Sequence, residues 1–93
     1  MSFKLAFYDE ALKEWKKLDN AIRKQLKDKL SERLLFPRVP SAKLSGSKDR
    51  YKIKLHSVGY RLVYEVRDAE LVVLVVAVGK RERNAVYITA AQR

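Results

Sequence analysis

Apolar positions along the chain change period several times, and each change marks an element. Phe3, Leu5 and Phe7 alternate with Lys4 and Ala6, which predicts a short strand over 3–7. Asp9 stands where a helix N-cap is expected. Ala11, Leu12, Trp15 and Leu18 then recur at helical spacing, with Lys13, Glu14, Lys16 and Lys17 largely elsewhere on the cylinder. Trp15 lies within the apolar stripe, so it is assigned to the core and not to a stacking platform. Asp19 or Asn20 caps a second helix, in which Ile22, Leu26, Leu30 and Leu34 repeat every fourth position. The short break between the two predicts an antiparallel helical hairpin. Pro37 disfavours helical geometry at Phe36 and ends the second helix. The connection from Pro37 to Arg50 is the long one, with Val39 and Leu44 available to pin it to the core.

Beyond it the period is two. Tyr51, Ile53 and Leu55 point one way and Lys52, Lys54 and His56 the other. Tyr60, Leu62, Tyr64 and Val66 alternate in the same manner with Arg61, Val63 and Glu65, and Gly59 supplies the backbone freedom that a tight connection needs. If the connection runs from His56 to Gly59, Leu55 pairs with Tyr60, Lys54 with Arg61 and Ile53 with Leu62, and both faces stay consistent. A shorter loop would set Lys54 against Leu62 and mix the faces unless a bulge intervened. The run Leu71 to Val78 is apolar at every position and rich in β-branched residues, which predicts a central strand buried on both faces. Gly79 ends it, the charged turn Lys80 to Arg83 follows, and the tail from Asn84 has weak helical character. The order β-α-α-β-β-β is that of an α+β fold, a helical hairpin packed on one face of an antiparallel-rich sheet with a short C-terminal helical tail.

Composition narrows the class. Ninety-three residues, 47% of them hydrophobic, suit one domain spanning 1–93 with one core. The formal net charge is +10, which points to an anionic partner: RNA, DNA, an acidic protein or an anionic membrane surface. Residues 1–46 hold 11 basic and 6 acidic side chains and residues 47–93 hold 10 and 5, so each half is +5. No basic tail accounts for the charge, and the fold must assemble any patch. There is no cysteine and a single histidine, which excludes disulfides and zinc sites, and no compact carboxylate cluster favours magnesium; no cofactor is expected. No signal peptide is visible, and the longest apolar run is far short of the roughly 20 residues that span a bilayer, so no membrane association and a cytoplasmic location are expected.

The cationic hairpin face is where chemistry concentrates. Like charges directly opposite in a sheet cost roughly 0.2 to 1 kcal/mol, so Lys54 facing Arg61 suggests an anion that visits this face, the plainer alternative being a solvated outer face. Arg81 leaves the central strand on the same side. Lys52, Lys54, Arg61 and Arg81 together can neutralise a phosphodiester, and Tyr87 can stack on a base or donate its hydroxyl, or else be a partly buried ring that closes the sheet edge.

With FYDEALKEW, YKIKL, GYRLVYEV and VVAVGKRERNAVY in order and spacing over nearly its whole length, the chain resembles the RelE branch of the RelE/ParE superfamily, the toxin components of bacterial toxin-antitoxin pairs. The resemblance implies a ribosome-dependent endoribonuclease that enters the decoding A site, contacts ribosomal RNA and cuts messenger RNA. It also implies a RelB-like antitoxin, through which alone operator DNA is bound, and it carries Lys52, Lys54, Arg61, Arg81 and Tyr87 over as the functional set. Two positions depart from the pattern. Ser45 stands where a family member has a basic residue in a KLRG-like segment, and the chain ends Ala90, Ala91, Gln92, Arg93 without an apolar-basic ending, which weakens the expectation of a docked last helix.

RNA cleavage by its own 2′-hydroxyl needs in-line geometry, a base, stabilisation of the phosphorane and support for the leaving 5′-oxygen. This face offers no assured His or Glu: His56 sits at the turn, and Glu65 has the parity to pair with a neighbouring cation. A lysine therefore serves as base. Crowding by Lys52, Arg61 and Arg81 is expected to lower the pKa of Lys54, whereas Arg61 stays protonated and suits charge stabilisation. Arg81 falls near the leaving group by family analogy. An acidic or amphipathic antitoxin segment is expected to cover the basic face or displace the residues from Asn84 onward. The competing readings are a ParE-like toxin that inhibits a topoisomerase by binding, and a non-catalytic nucleic-acid-binding module explained by charge alone.

Overall fold

The computed structural model describes residues 2–46, 49–55, 58–80, 82 and 84–93. Its elements are β1 (Lys4–Phe7), α1 (Asp9–Lys16), α2 (Asn20–Leu35), a single 3₁₀ turn (Pro40–Ala42), β2 (Arg50–Leu55), β3 (Tyr60–Arg67), β4 (Val72–Lys80) and α3 (Ala85–Gln92). The sheet order is β1-β4-β3-β2, with β1 parallel to β4 and the other pairs antiparallel. The strands at 51–55 and 60–66 pair in the expected register, Leu55 with Tyr60 and Lys54 with Arg61. Gly59 closes their connection with φ +68°, and its N–H donates to the Leu55 carbonyl at 2.9 Å.

One sheet face takes the helical hairpin. Ala11 of α1 and Ile22, Leu26 and Leu30 of α2 meet Tyr51, Ile53, Leu55, Leu62, Tyr64, Val66, Val73, Val75 and Val78 in one apolar cluster. Trp15 packs against it as expected, its ring 5.4 Å from that of Phe7. α2 stops at Leu35, before Pro37, and the Tyr64 hydroxyl donates to the Pro37 carbonyl at 2.6 Å while accepting from Arg33 Nη1 at 2.8 Å. The helix end is thus tied to the sheet centre.

The helix cap at Asp9 needs correction. Tyr8, extended at φ −60° and ψ 149°, is the N-cap, and Asp9 and Glu10 occupy the first turn. The reason is tertiary: the Tyr8 N–H still pairs with the Val75 carbonyl at 2.9 Å while its own carbonyl already accepts the Leu12 N–H at 2.9 Å. In the first turn the two carboxylates oppose the positive end of the helix dipole.

β4 is interior and buried on both faces, as its unbroken apolar run predicts. The run conceals a bulge. Val63 pairs with Ala77 but Tyr64 with Val75, so Val76 is an extra residue, and Val76 and Ala77 both join the second face. That face is covered by α3, whose Val86 and Ala90 pack on Val63, Val76 and Ala77 with Tyr8, Leu44 and Tyr87 at the margin. The helical tail is therefore formed, as expected, and it is docked, contrary to the doubt drawn from residues 90–93. In the long connection Leu44 reaches this cluster, Val39 is half-buried outside either cluster, and Pro37 and Ala42 are buried.

Candidate functional site

Three strands lie in register beneath the site. Lys54 of β2 is opposite Arg61 of β3, and Arg61 is opposite Gly79 of β4; in the next outward-facing row Lys52 is opposite Val63 and Val63 opposite Ala77. The alternation that sends Tyr51, Ile53 and Leu55 into the helical core sends Lys52, Lys54 and Arg61 to the opposite face. Tyr87 comes to the same face from above, because α3 packs on Val63 and Ala77. Lys52, Lys54 and Arg61 thus share one face, and Tyr87 lies on that face toward Arg50 and Glu65, with which it lines a cavity. Arg81 lies outside the described residues, as do His56 and Arg83; β4 ends at Lys80, opposite Tyr60.

Arg61 differs from the solvated cation that its parity suggests. It is 5% exposed, the buried charged residue among the described ones, and its guanidinium donates to the Tyr60 carbonyl at 3.0 Å. No carboxylate pairs with it among the described residues, and the seven others contain no Asp or Glu. The other arginines of the two sheet margins are paired: Arg50 Nε with Glu65 at 2.9 Å, Arg67 Nε with Glu65 at 2.7 Å and Arg93 with Glu14 at 2.9 Å. Gly79, facing Arg61, leaves room for α3: a Cβ there would stand 3.4 Å from Val86 Cγ2.

Lys52 and Lys54 are half-buried and open toward the β2 edge, where they line a hollow of about 340 Å³ with Lys29 and Arg33 of α2 and with Ser41. A cavity of about 470 Å³ lies between the long connection and α3, bounded by Leu44, Ser45, Gly46, Arg50, Glu65 and Tyr87. The Tyr87 ring is half-buried in the apolar cluster, and its hydroxyl is enclosed with no hydrogen-bond partner among the described residues. A buried hydroxyl without a partner costs free energy that a bound acceptor recovers. Burial pushes the Glu65 carboxyl up, but the hydrogen bonds from Arg50 and Arg67 outweigh it and hold the group below the usual carboxylate range.

Arg50 was not among the expected residues, although it shares the parity of Lys52 and Lys54; the strand simply begins one position earlier than its apolar residues do. Its Nη1 also donates to the Ala90 carbonyl of α3 at 2.6 Å. Glu14 and Arg93 were missed as well, and their partnership, 79 residues apart, has no local signal. Among the described residues no group of three or more His, Asp or Glu side chains converges as metal ligands would, and no helix is long and apolar enough to cross a membrane.

Residues 5–85 match the profile of the ParE toxin of type II toxin-antitoxin systems. The chain is 55% identical over 93 residues to the mRNA interferase toxin RelE of Escherichia coli K12, covering all of this chain and 98% of that protein. Its fold superposes on a doubly arginine-to-alanine-substituted Escherichia coli RelE in the free state with a TM-score of 0.92, at 53% identity and covering 100% of this chain and 98% of that one. It also matches the toxin in the intact Escherichia coli RelBE toxin-antitoxin complex, with a TM-score of 0.85, 55% identity and coverage of 88% of this chain and all of that one.

Proposed function

The chain belongs to the ParE toxin family of type II toxin-antitoxin systems and is a homologue of the RelE mRNA interferase, and from that premise we propose that it is a ribosome-dependent endoribonuclease acting on messenger RNA in the A site. A RelB-like antitoxin is its partner. The observation that carries the reading is Arg61, a buried guanidinium without a carboxylate, beside Lys54 on the face that α3 covers. A buried cation left unpaired in the resting protein favours an anion at that place, and a phosphodiester in its transition state carries more negative charge than in its ground state.

In the proposed reaction Lys54, as the neutral amine, takes the proton of the ribose 2′-hydroxyl. The 2′-oxygen attacks the adjacent phosphorus, Arg61 and Lys52 balance the charge on the phosphorane, and the 5′-oxygen departs, taking up a proton from solvent water. Arg81 stabilises that oxygen, and Tyr87 supports the base or the phosphate. The products are a 2′,3′-cyclic phosphate and a 5′-hydroxyl. All five residues are amines, guanidiniums or a phenol, and their strength as acid-base groups is modest, so the ribosome is expected to supply the in-line geometry of the RNA.

Four substitutions that each remove one basic side chain test this. Lys54→Ala and Arg81→Ala are expected to lower single-turnover cleavage at saturating ribosome concentration by about a hundredfold to a thousandfold, the loss expected for one preorganised stabilising group. Lys24→Ala and Lys27→Ala on α2 are expected to leave it unchanged. Rates for all four within a factor of about three of one another would move the function from catalysis to binding alone.

A further inference from the structure

α3 is a poor helix by its own sequence. It has eight residues, AVYITAAQ, with β-branched or aromatic side chains at four consecutive positions, and its N-cap Asn84 is left-handed at φ +62° with no side-chain cap. A helix so short does not persist without tertiary contacts. Its grip is at the other end.

That grip occupies a gap in the sheet. β1 stops pairing at Phe7 opposite Val75, so from Val76 onward the outer edge of β4 has lost its neighbouring strand. Two side chains take over the missing strand's hydrogen bonds. The Val78 N–H donates to Glu14 Oε1 at 3.2 Å, and the Val76 carbonyl accepts from Arg93 Nη1 at 2.8 Å. The two side chains are joined to each other, Arg93 Nη1 and Nη2 each donating to a Glu14 oxygen at 2.9 Å. Glu14 thereby raises the Arg93 guanidinium above its ordinary range, against the effect of burial. On the opposite side of α3, Arg50 holds the Ala90 carbonyl at 2.6 Å.

We propose that Arg93, with Glu14 at the open β4 edge and Arg50 across the sheet, is a positioning residue that holds α3 so that Tyr87 stays packed on the face of Val63 and Ala77, beside Arg50 and Glu65. The inference rests on the nuclease reading for its consequence in catalysis, and on the hydrogen bonds alone for its consequence in structure. Releasing Arg93 frees the end of α3 while the strands beneath keep their own ladder, and Tyr87, on the first turn and a half, loses its fixed placement. Misplacing a group at a reacting centre by about 1 Å costs up to a hundredfold in rate.

The test pairs cleavage with amide exchange in the full chain. Arg93→Gln and Glu14→Gln are each expected to reduce single-turnover cleavage by about tenfold or more, with ribosome affinity within about twofold of the parent. Arg93→Lys, which keeps the charge but not the fork, is expected to fall between. Amides of Ile88 and Val78 are expected to exchange faster in Arg93→Gln, and those of Ile53 and Leu62 to stay protected, which also reports that the variant is folded. In a Tyr87→Ala background Arg93→Gln is expected to add less than about a twofold loss. A full loss persisting in that background, or unchanged exchange at Ile88, overturns the proposal. If the parent protein itself cuts nothing, the nuclease reading fails, and the exchange rates together with the line width of the Tyr87 ring signals still decide whether the clamp holds that ring.

Discussion

Arg61 and Arg50 lie on one sheet face in opposite electrostatic settings. Arg50 is paired with Glu65 and bonded to the Ala90 carbonyl; Arg61 is buried with one backbone acceptor and no carboxylate. Substituting an apolar chain of similar length should separate stability from function. Arg61→Met is expected to stabilise the fold by about 1 kcal/mol while lowering cleavage by about a hundredfold or more. Arg50→Met leaves an acceptor on α3 without its donor and Glu65 with Arg67 alone, and is expected to destabilise by about 1–3 kcal/mol. Urea midpoints and single-turnover rates on the two variants check both statements, and loss of stability in Arg61→Met would contradict the first. Alternation alone assigns Lys52, Lys54 and Arg61 to one face, and the register of Lys54 against Arg61 follows from keeping the faces consistent. The burial of Arg61 does not, because parity tells which way a side chain points and nothing about what α3 and the neighbouring strands place over it.

At the scale of the element, legibility follows how local the cause is. β2 and β3 alternate and are bounded by Gly59, so their hairpin can be read to the residue pair. β4 is Val, Leu and Ala from Val72 to Val78, and with no polar residue in that run to mark a change of face the bulge at Val76 leaves no trace in the pattern. α3 is opaque for the reason given by its partners: Glu14 and Arg50 are 79 and 40 residues away from the groups they hold. The hairpin connection offers a clean measurement of backbone strain, because a Cβ at Gly59 would meet nothing within 4 Å while its φ is +68°. Gly59→Ala is therefore expected to cost about 1–2 kcal/mol from the left-handed conformation alone. The urea midpoint should fall at constant slope, and an unchanged midpoint would mean that the connection relaxes to another turn.

The whole molecule is strongly cationic, and among the described residues four of its eleven carboxylates, Glu14, Asp49, Glu65 and Asp68, are held in ion pairs with arginines. Asp49 accepts from Arg38 and from the Tyr51 hydroxyl, and Arg38 also reaches Asp68, so one arginine ties the long connection to the end of β3. The hydrogen bond from Arg38 holds the Asp49 carboxyl below its usual range against the effect of burial, and Glu65 is likewise held low. Both are depressed in the folded state, so the stability that they contribute is complete above the unfolded carboxylate value of about 4 and is lost as pH falls through the lower folded values. The melting temperature is expected to drop steeply below about pH 4, where self-repulsion of the +10 chain also grows. An Asp49→Asn/Glu65→Gln variant is expected to start lower and fall less over the same window. Parallel curves by circular dichroism would contradict the assignment.

The parallel pairing of β1 with β4 also sets the order in which the chain can fold as it is made. About 70 residues separate the two strands, and at a synthesis rate of about 5–20 residues per second β1 waits roughly 4 to 14 seconds for its neighbour. Contacts of such long sequence separation form late. The clamp on α3 comes later still, since it joins Arg93 to Glu14 across the edge that β1 leaves open. A nascent chain still tethered to the ribosome that is making it therefore lacks both the pairing of its first strand and the helix that carries Tyr87, and under the proposed function the face that would cut is not yet assembled beside the ribosome that makes it.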